Sequence, residues 1–239
     1  MTVDALLPLS FLEAVRAVDR PSGEHEAEFV PELRNKRLGL SDTVYAQIKR
    51  YTDAVKKSQR TSYDEAVALA RLIGRRPDAE TVFRAAGRWL ANEAYQTISP
   101  VTRRMIRLLP SLLARPLALR QTRRICERYL NGRVTRVGSF LLLDVPVSVT
   151  ADTAPNAAGC AYYESALREL LRLLVGGAGA VEHVRCASRG EGSCEWRAEW
   201  RGMRDGAGSE APGTSASGDA GRAGAPGAGR DASAPTPSV

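Results

Sequence analysis

The stretch YYESALRELLRLLVGGAGAVEHVRCASRGEGSCEWRAEW, residues 162–200, decides the fold. Its first part repeats leucine at spacings of three and four residues, which is typical of a helix with one apolar face. A glycine break ends that helix. Two strands then enclose the loop RGEG, which Cys186 and Cys194 bracket. The stretch therefore predicts a helix followed by a hairpin.

The segment before this helix predicts another hairpin. RVTRVGSFLLLDVPVSVT, residues 133–150, alternates apolar and polar positions and is rich in valine. Gly138 and Ser139 fit the turn between two strands, and Pro146 indicates an edge or a bulge. The order hairpin, helix, hairpin predicts an antiparallel sheet of about four strands.

The part of the chain before residue 132 predicts helices. Apolar residues recur there at helical spacing, most clearly in RPDAETVFRAAGRWLANEAYQTI, residues 76–98, and Asn131 with Gly132 marks the last helix end. The predicted fold class is α+β, with helices on one side of the sheet. We expect one domain over residues 1–202, with a helical half at 1–131 and a sheet half at 132–202.

The residues after this domain have a different composition. Residues 203–239 are almost all Gly, Ala, Ser, Pro and charged residues. Such a segment cannot bury enough apolar surface to offset the entropy of ordering it. The sequence predicts a disordered tail.

The whole chain has a formal net charge of +7, and its positive charge is concentrated in one segment. Between residues 101 and 136 a single acid, Glu127, accompanies ten arginines, here called the arginine stripe: Arg103, Arg104, Arg107, Arg115, Arg120, Arg123, Arg124, Arg128, Arg133 and Arg136. The stripe suits an anionic membrane contacted peripherally, or an acidic partner. The plainer interpretation is a solvated surface in a chain that prefers arginine to lysine throughout. Without helix-turn-helix or zinc-finger spacing, we expect no nucleic-acid partner.

No apolar run approaches the roughly 20 residues that span a bilayer. The first residues lack a basic segment followed by a continuous apolar one, so they do not resemble a secretion signal. We therefore expect a cytoplasmic protein whose thiols are reduced.

The order of elements and the final strand pair together resemble the 4-vinyl reductase domain family. That family belongs to a wider group that includes haem nitric-oxide-binding domains and subunits of a Golgi transport particle. The residues that carry the resemblance lie at the start of the last helix and along the last hairpin: Cys160, Glu182, Cys186, Gly190, Gly192, Cys194 and Trp196.

The resemblance implies a domain that binds a small, mostly apolar molecule, as a sensor or as an accessory factor in tetrapyrrole metabolism. It also implies a zinc ion held by three cysteines and a glutamate, which in this chain are Cys160, Glu182, Cys186 and Cys194. Such a ligand set leaves no position for water, which suits a structural zinc. By family analogy the domain also forms a homodimer.

Strand geometry tests this ligand set. On a straight strand Glu182 and Cys186 lie about 13 Å apart, too far to share one ion. Glu182 therefore requires a bulge or an early strand end near Val184, while His183 faces the opposite side unless a bulge shifts the alternation. Two other interpretations of the cysteines remain, namely a disulfide and buried, inert thiols.

The sequence gives little support for catalysis. It has no glycine-rich phosphate loop after a strand, no dinucleotide fingerprint, and no serine or cysteine beside a plausible histidine base. Haem is not expected, because an axial ligand is usually a histidine on a helix, whereas His25 lies in a polar stretch and His183 on a strand.

The function expected is therefore non-catalytic binding of an apolar small molecule. The alternatives are a factor or enzyme of tetrapyrrole metabolism and a basic interaction protein. We expect the ligand pocket between the sheet and the helices, near the aromatic residues Phe83, Trp89, Tyr129, Tyr163 and Trp196.

Overall fold

The computed structural model describes residues 1–20, 38–177 and 179–200. Its helices are α1 Leu6–Val18, α2 Asp42–Lys56, α3 Tyr63–Gly74, α4 Ala79–Gln96, α5 Pro100–Leu108, α6 Ser111–Ile125 and α7 Ala161–Val175. Its strands are β1 Thr2–Asp4, β2 Arg60–Ser62, β3 Arg133–Val137, β4 Phe140–Val145, β5 Val181–Arg185 and β6 Cys194–Glu199. The predicted tail at 203–239, the last two residues of the predicted domain and His25 lie outside the described residues.

The larger sheet has the strand order β3-β4-β6-β5, with every pair antiparallel. The α+β class and the four-stranded sheet predicted from the sequence are confirmed. Gly138 and Ser139 join β3 to β4, as predicted. Because β4 is an interior strand that ends at Val145, Pro146 lies just beyond the ladder, where its missing N–H removes no strand pairing.

One face of this sheet belongs to the core. Six side chains of its central strands are buried: Leu141, Leu143, Val145, Cys194, Trp196 and Ala198. The opposite face carries polar side chains, including Arg197, whose guanidinium lies over the ring of Phe140. The alternation of the two strands thus directs the sulfur of Cys194 and the indole of Trp196 towards the helices.

Helices α4 and α7 pack closely because a glycine lies where they meet. A Cβ atom at Gly87 would overlap the carbonyl oxygen of Tyr162 and the hydroxyl oxygen of Ser165. The missing side chain allows the backbone of α7 to approach α4, and α7 begins immediately after Cys160.

Replacing Gly87 with alanine should destabilise the fold, although alanine is the better helix former. The added methyl group must push the two backbones apart, and we expect the free energy of unfolding to fall by about 1–2 kcal/mol. Glu93→Ala, an exposed change on the same helix, should alter it by less than about 0.5 kcal/mol. Urea denaturation of both variants tests this, and a more stable Gly87→Ala variant would contradict it.

In the described part of the chain, no helix combines the length and the apolar character that crossing a bilayer requires.

Candidate metal centre

Cys160 is positioned by a tight turn in front of α7. It is the last residue of a short 3-10 helix, Pro155–Cys160, and is buried. The hydroxyl of Thr150 donates a hydrogen bond of 2.7 Å to the carbonyl oxygen of Gly159. A Cβ atom at Gly159 would overlap the carbonyl oxygen of Thr150, so glycine permits this close approach. The contact fixes the backbone one residue before the Cys160 thiol.

A β-bulge in β5 decides which side chains of the last hairpin face the core. His183 pairs with Trp196 and Arg185 pairs with Glu195, so Val184 is the extra residue between them. Because one extra residue reverses the alternation beyond it, His183 and Cys186 lie on the same face of the sheet.

The loop between β5 and β6 is held by its own hydrogen bonds. The backbone N–H of Cys186 donates to the Glu191 carboxylate at 2.5 Å, and this bond lowers the pKa of that carboxyl. The backbone N–H of Ala187 donates to the sulfur of Cys194 at 3.3 Å. Gly190 and Gly192 have φ values of 81° and 83°, which glycine adopts without strain. The loop therefore returns the chain so that Cys194 lies beside Cys186.

Three cysteines and one histidine converge at this end of the domain. Cys160, His183, Cys186 and Cys194 each offer a ligand atom, and these four atoms lie within 4.8 Å of one another. The sulfurs of Cys160 and Cys186 are 3.8 Å apart, and the three cysteines are free and buried. This set of residues, called the Cys3His cluster below, could hold a metal ion.

The thiols of Cys160 and Cys194 have pKa values that are shifted in opposite directions. The hydrogen bond from Cys160 lowers the pKa of Cys194, and the histidine and the N–H of Ala187 lower it further. The same contact with Cys194 raises the pKa of Cys160. Of these two sulfurs Cys194 therefore ionises more readily, and a thiolate is the form that binds metals.

Three of the four predicted ligands come together, and the fourth does not. Glu182 lies on the opposite face of the sheet, where it is exposed and accepts a hydrogen bond of 2.6 Å from Arg197. His183 takes its place in the cluster, because the bulge at Val184 shifts the alternation. The predicted ligand set is corrected accordingly. The residue type of His183 could have indicated its place in the cluster, since an imidazole commonly completes a set of three cysteines at a structural zinc.

Aromatic rings connect the cluster to the core. The ring of His183 stacks on Trp196 with centroids 4.7 Å apart, and Trp196 contacts Tyr163 at 5.0 Å. Edge contacts continue from Tyr163 through Tyr162 and Phe11 to Phe83. This run of rings is called the aromatic chain below.

The aromatic residues predicted to line a pocket fall into different surroundings. Phe83, Tyr163 and Trp196 belong to the aromatic chain and are buried. Trp89 is half-buried at the edge of the core. Tyr129 lines a cleft of about 210 Å³ together with Ile98, which precedes α5, and with Arg124 of α6.

Among the described residues, two ring nitrogens of the aromatic chain find no hydrogen-bond partner. They are Nε2 of His183 and Nε1 of Trp196, and both atoms are buried. A buried polar atom without a partner is destabilising by roughly 1–3 kcal/mol, so such atoms often mark a place for a ligand or an ion. The unpartnered imidazole nitrogen fits a ring that serves as a metal ligand.

The fold and this site together define an α+β domain closed by a Cys3His cluster. Comparison of the chain with models of protein families, with curated proteins and with solved structures found no match in any of the three.

Proposed function

We propose that the Cys3His cluster binds one structural zinc ion and closes a small-molecule-binding domain of the 4-vinyl reductase type. The observation that carries the zinc proposal is the convergence of four ligand atoms, from three buried cysteines and a half-buried histidine, within 4.8 Å. Three thiolates and one imidazole form a closed set of four, as in structural zinc sites. Thiolates favour zinc, copper(I) and iron–sulfur clusters over magnesium or calcium.

The zinc would act as a clamp between two elements that are distant in sequence. Cys160 precedes α7, whereas His183, Cys186 and Cys194 belong to the last hairpin. One ion would cross-link the start of the helix to both strands. The chemistry it supplies is structural, because four protein ligands leave no position for a substrate or for water.

Zinc analysis of the purified full-length chain tests the clamp. We expect one zinc per chain by elemental analysis and by native mass spectrometry. Cys186→Ser and Cys194→Ser should lose the ion, and His183→Ala should bind it at least about tenfold more weakly, since it removes one of four ligands.

Glu182→Ala is the matched control, because Glu182 neighbours the histidine but faces the other side of the sheet. This variant should keep its zinc. Zinc loss in Glu182→Ala with retention in His183→Ala would reverse the assignment, and a folded wild-type protein that takes up no zinc would refute the clamp.

The proposal of an apolar small-molecule ligand rests on a separate observation. The indole N–H of Trp196, whose ring contacts His183 and Tyr163 in the aromatic chain, is buried and has no acceptor within the described part of the chain. A ligand with one hydrogen-bond acceptor and an otherwise apolar body would satisfy that group. Native mass spectrometry of freshly purified protein, followed by extraction into organic solvent, should reveal a ligand that a Trp196→Phe variant retains less well.

A role in tetrapyrrole metabolism is the alternative within the same resemblance. A visible absorption band that copurifies with the protein would favour it over a sensor for a colourless ligand. In either case a cluster that depends on thiolates requires reducing surroundings, which supports the proposed cytoplasmic location.

A further inference from the structure

Helices α5 and α6 expose apolar side chains that the fold does not use. Leu108 and Leu112 are 73% and 82% exposed. Together with their neighbours they form what we call the apolar ridge: Val101, Met105, Leu108, Leu112 and Leu113. Isolated exposed leucines are common, but five large apolar residues within one helix pair mark an interaction surface.

The spacing of these residues places them together. Val101, Met105 and Leu108 are separated by four and three residues, so they lie along one side of α5, and Ile106 is the residue of that helix that is buried. Pro110 separates the two helices, and the first turn of α6 then exposes two more leucines. The exposed apolar residues of the ridge therefore continue along the sequence from α5 into the first turn of α6.

Basic side chains are exposed on the same two helices as the ridge. On α6 the exposed face that begins with Leu112 continues with Arg120, Arg123 and Arg124, at spacings of eight, eleven and twelve residues. On α5, Arg104 is exposed one residue before Met105. Helices α5 and α6 therefore form an amphipathic element, in which exposed apolar residues are followed by exposed arginines.

The arginine stripe is nearly free of acidic partners. Among the described residues, one of its ten arginines has an ion pair, formed by Arg128 with Asp4. Arg123 instead donates a hydrogen bond to the backbone oxygen of Val134. These uncompensated cations concentrate positive charge in the segment from 103 to 136, and an anionic surface is complementary to it.

We propose that the apolar ridge and the arginine stripe dock this protein on the surface of an anionic lipid bilayer. The ridge would enter the boundary between headgroups and acyl chains, and the arginines would contact lipid phosphates. This surface is distinct from the metal centre, and the proposal does not depend on zinc binding.

A bilayer fits this surface better than a protein partner does. The leucines of the ridge project into solvent, which suits insertion into a deformable apolar layer. The arginines extend over 34 positions of sequence, from 103 to 136. Such a wide distribution matches a continuous anionic surface rather than one short acidic segment.

Vesicle flotation with the full-length chain tests the proposal. The probes are vesicles of phosphatidylcholine alone and of phosphatidylcholine mixed with phosphatidylserine. We expect binding to the mixed vesicles and at least about tenfold weaker binding to the neutral ones. Binding should weaken as salt is raised, because mobile ions screen the exposed arginines.

Two variants separate the apolar and the charged contributions. Leu108→Ser with Leu112→Ser should weaken vesicle binding at least about tenfold, because both leucines leave the bilayer. Arg120→Glu with Arg124→Glu should weaken it at least as much. All four residues are exposed, so the circular dichroism spectrum should be unchanged.

The matched controls lie at the end of α3 and on the residue that follows it, outside the ridge and the arginine stripe. Leu72→Ser changes another exposed leucine, and Arg71→Glu with Arg75→Glu makes the same change in net charge. Both controls should bind vesicles like the wild type. Equal loss in the control pair would overturn the proposal, since only net charge would then matter.

Two other results would also overturn it. One is the absence of binding to anionic vesicles. The other is a self-associating wild-type protein whose dimer is lost in the leucine variant while vesicle binding is kept, since the ridge would then join two copies of the chain.

Discussion

A strong chelator should lower the free energy of unfolding of the zinc-loaded protein by at least about 3 kcal/mol. For a domain of this size that corresponds to a fall of about 10 °C in the midpoint of thermal unfolding. The physical reason is linkage, because the native state gathers four ligands that the unfolded chain keeps apart. Cys160 and Cys194 are 34 residues apart in sequence, so the clamp also closes a long loop.

Differential scanning fluorimetry with and without chelator measures this effect, and two cysteine variants provide the comparison. Cys194→Ser removes a ligand and should abolish the chelator effect. Cys126→Ser makes the same chemical change at a buried cysteine outside the cluster, and it should keep that effect. If the chelator leaves the midpoint of thermal unfolding of the zinc-loaded wild type unchanged, the ion does not stabilise the fold.

Replacing Trp196 with alanine should lower the free energy of unfolding by about 3–5 kcal/mol. The indole is fully buried and is packed between the rings of His183 and Tyr163. Its removal leaves a large cavity beside the cluster and frees the imidazole from the ring that orients it. We therefore expect zinc affinity to fall together with stability, by about tenfold or more.

Two milder variants distinguish this coupling from simple loss of packing. Trp196→Phe keeps a ring against His183 and should retain zinc with a loss of stability of about 1–2 kcal/mol. Trp89→Ala removes an indole from the edge of the core and should leave zinc affinity unchanged. Equal zinc affinities in all three variants would disprove a role of Trp196 in orienting His183. Chemical denaturation and competition with a zinc indicator supply both measurements.

The fold could be predicted from the sequence because its signals are local. The leucine spacing of α7, the alternation in β4 and the turn at Gly138 and Ser139 each depend on neighbouring residues. Their order along the chain then limits the sheet to antiparallel hairpins. The same reasoning brought Cys186 and Cys194 together, since they flank one hairpin loop.

The histidine of the Cys3His cluster could not be predicted in this way, because its orientation depends on a single extra residue. A straight β5 would direct His183 and Cys186 to opposite faces, and nothing in the segment VEHVRC marks Val184 as the bulge. Its position becomes visible only in the pairing with β6, where His183 lies opposite Trp196. Pairing between strands is a non-local contact. The sequence of a short strand therefore does not determine its register until the partner strand is known.

The bulge has a second consequence, which concerns aggregation. In the described part of the chain β5 has one neighbour in the sheet, so the other side of the strand presents backbone N–H and C=O groups at an edge. Regular exposed edges recruit foreign strands, and a bulge interrupts the repeat that such recruitment needs. The irregularity at Val184 that turns His183 towards the cysteines therefore also makes this edge a poor template for another chain.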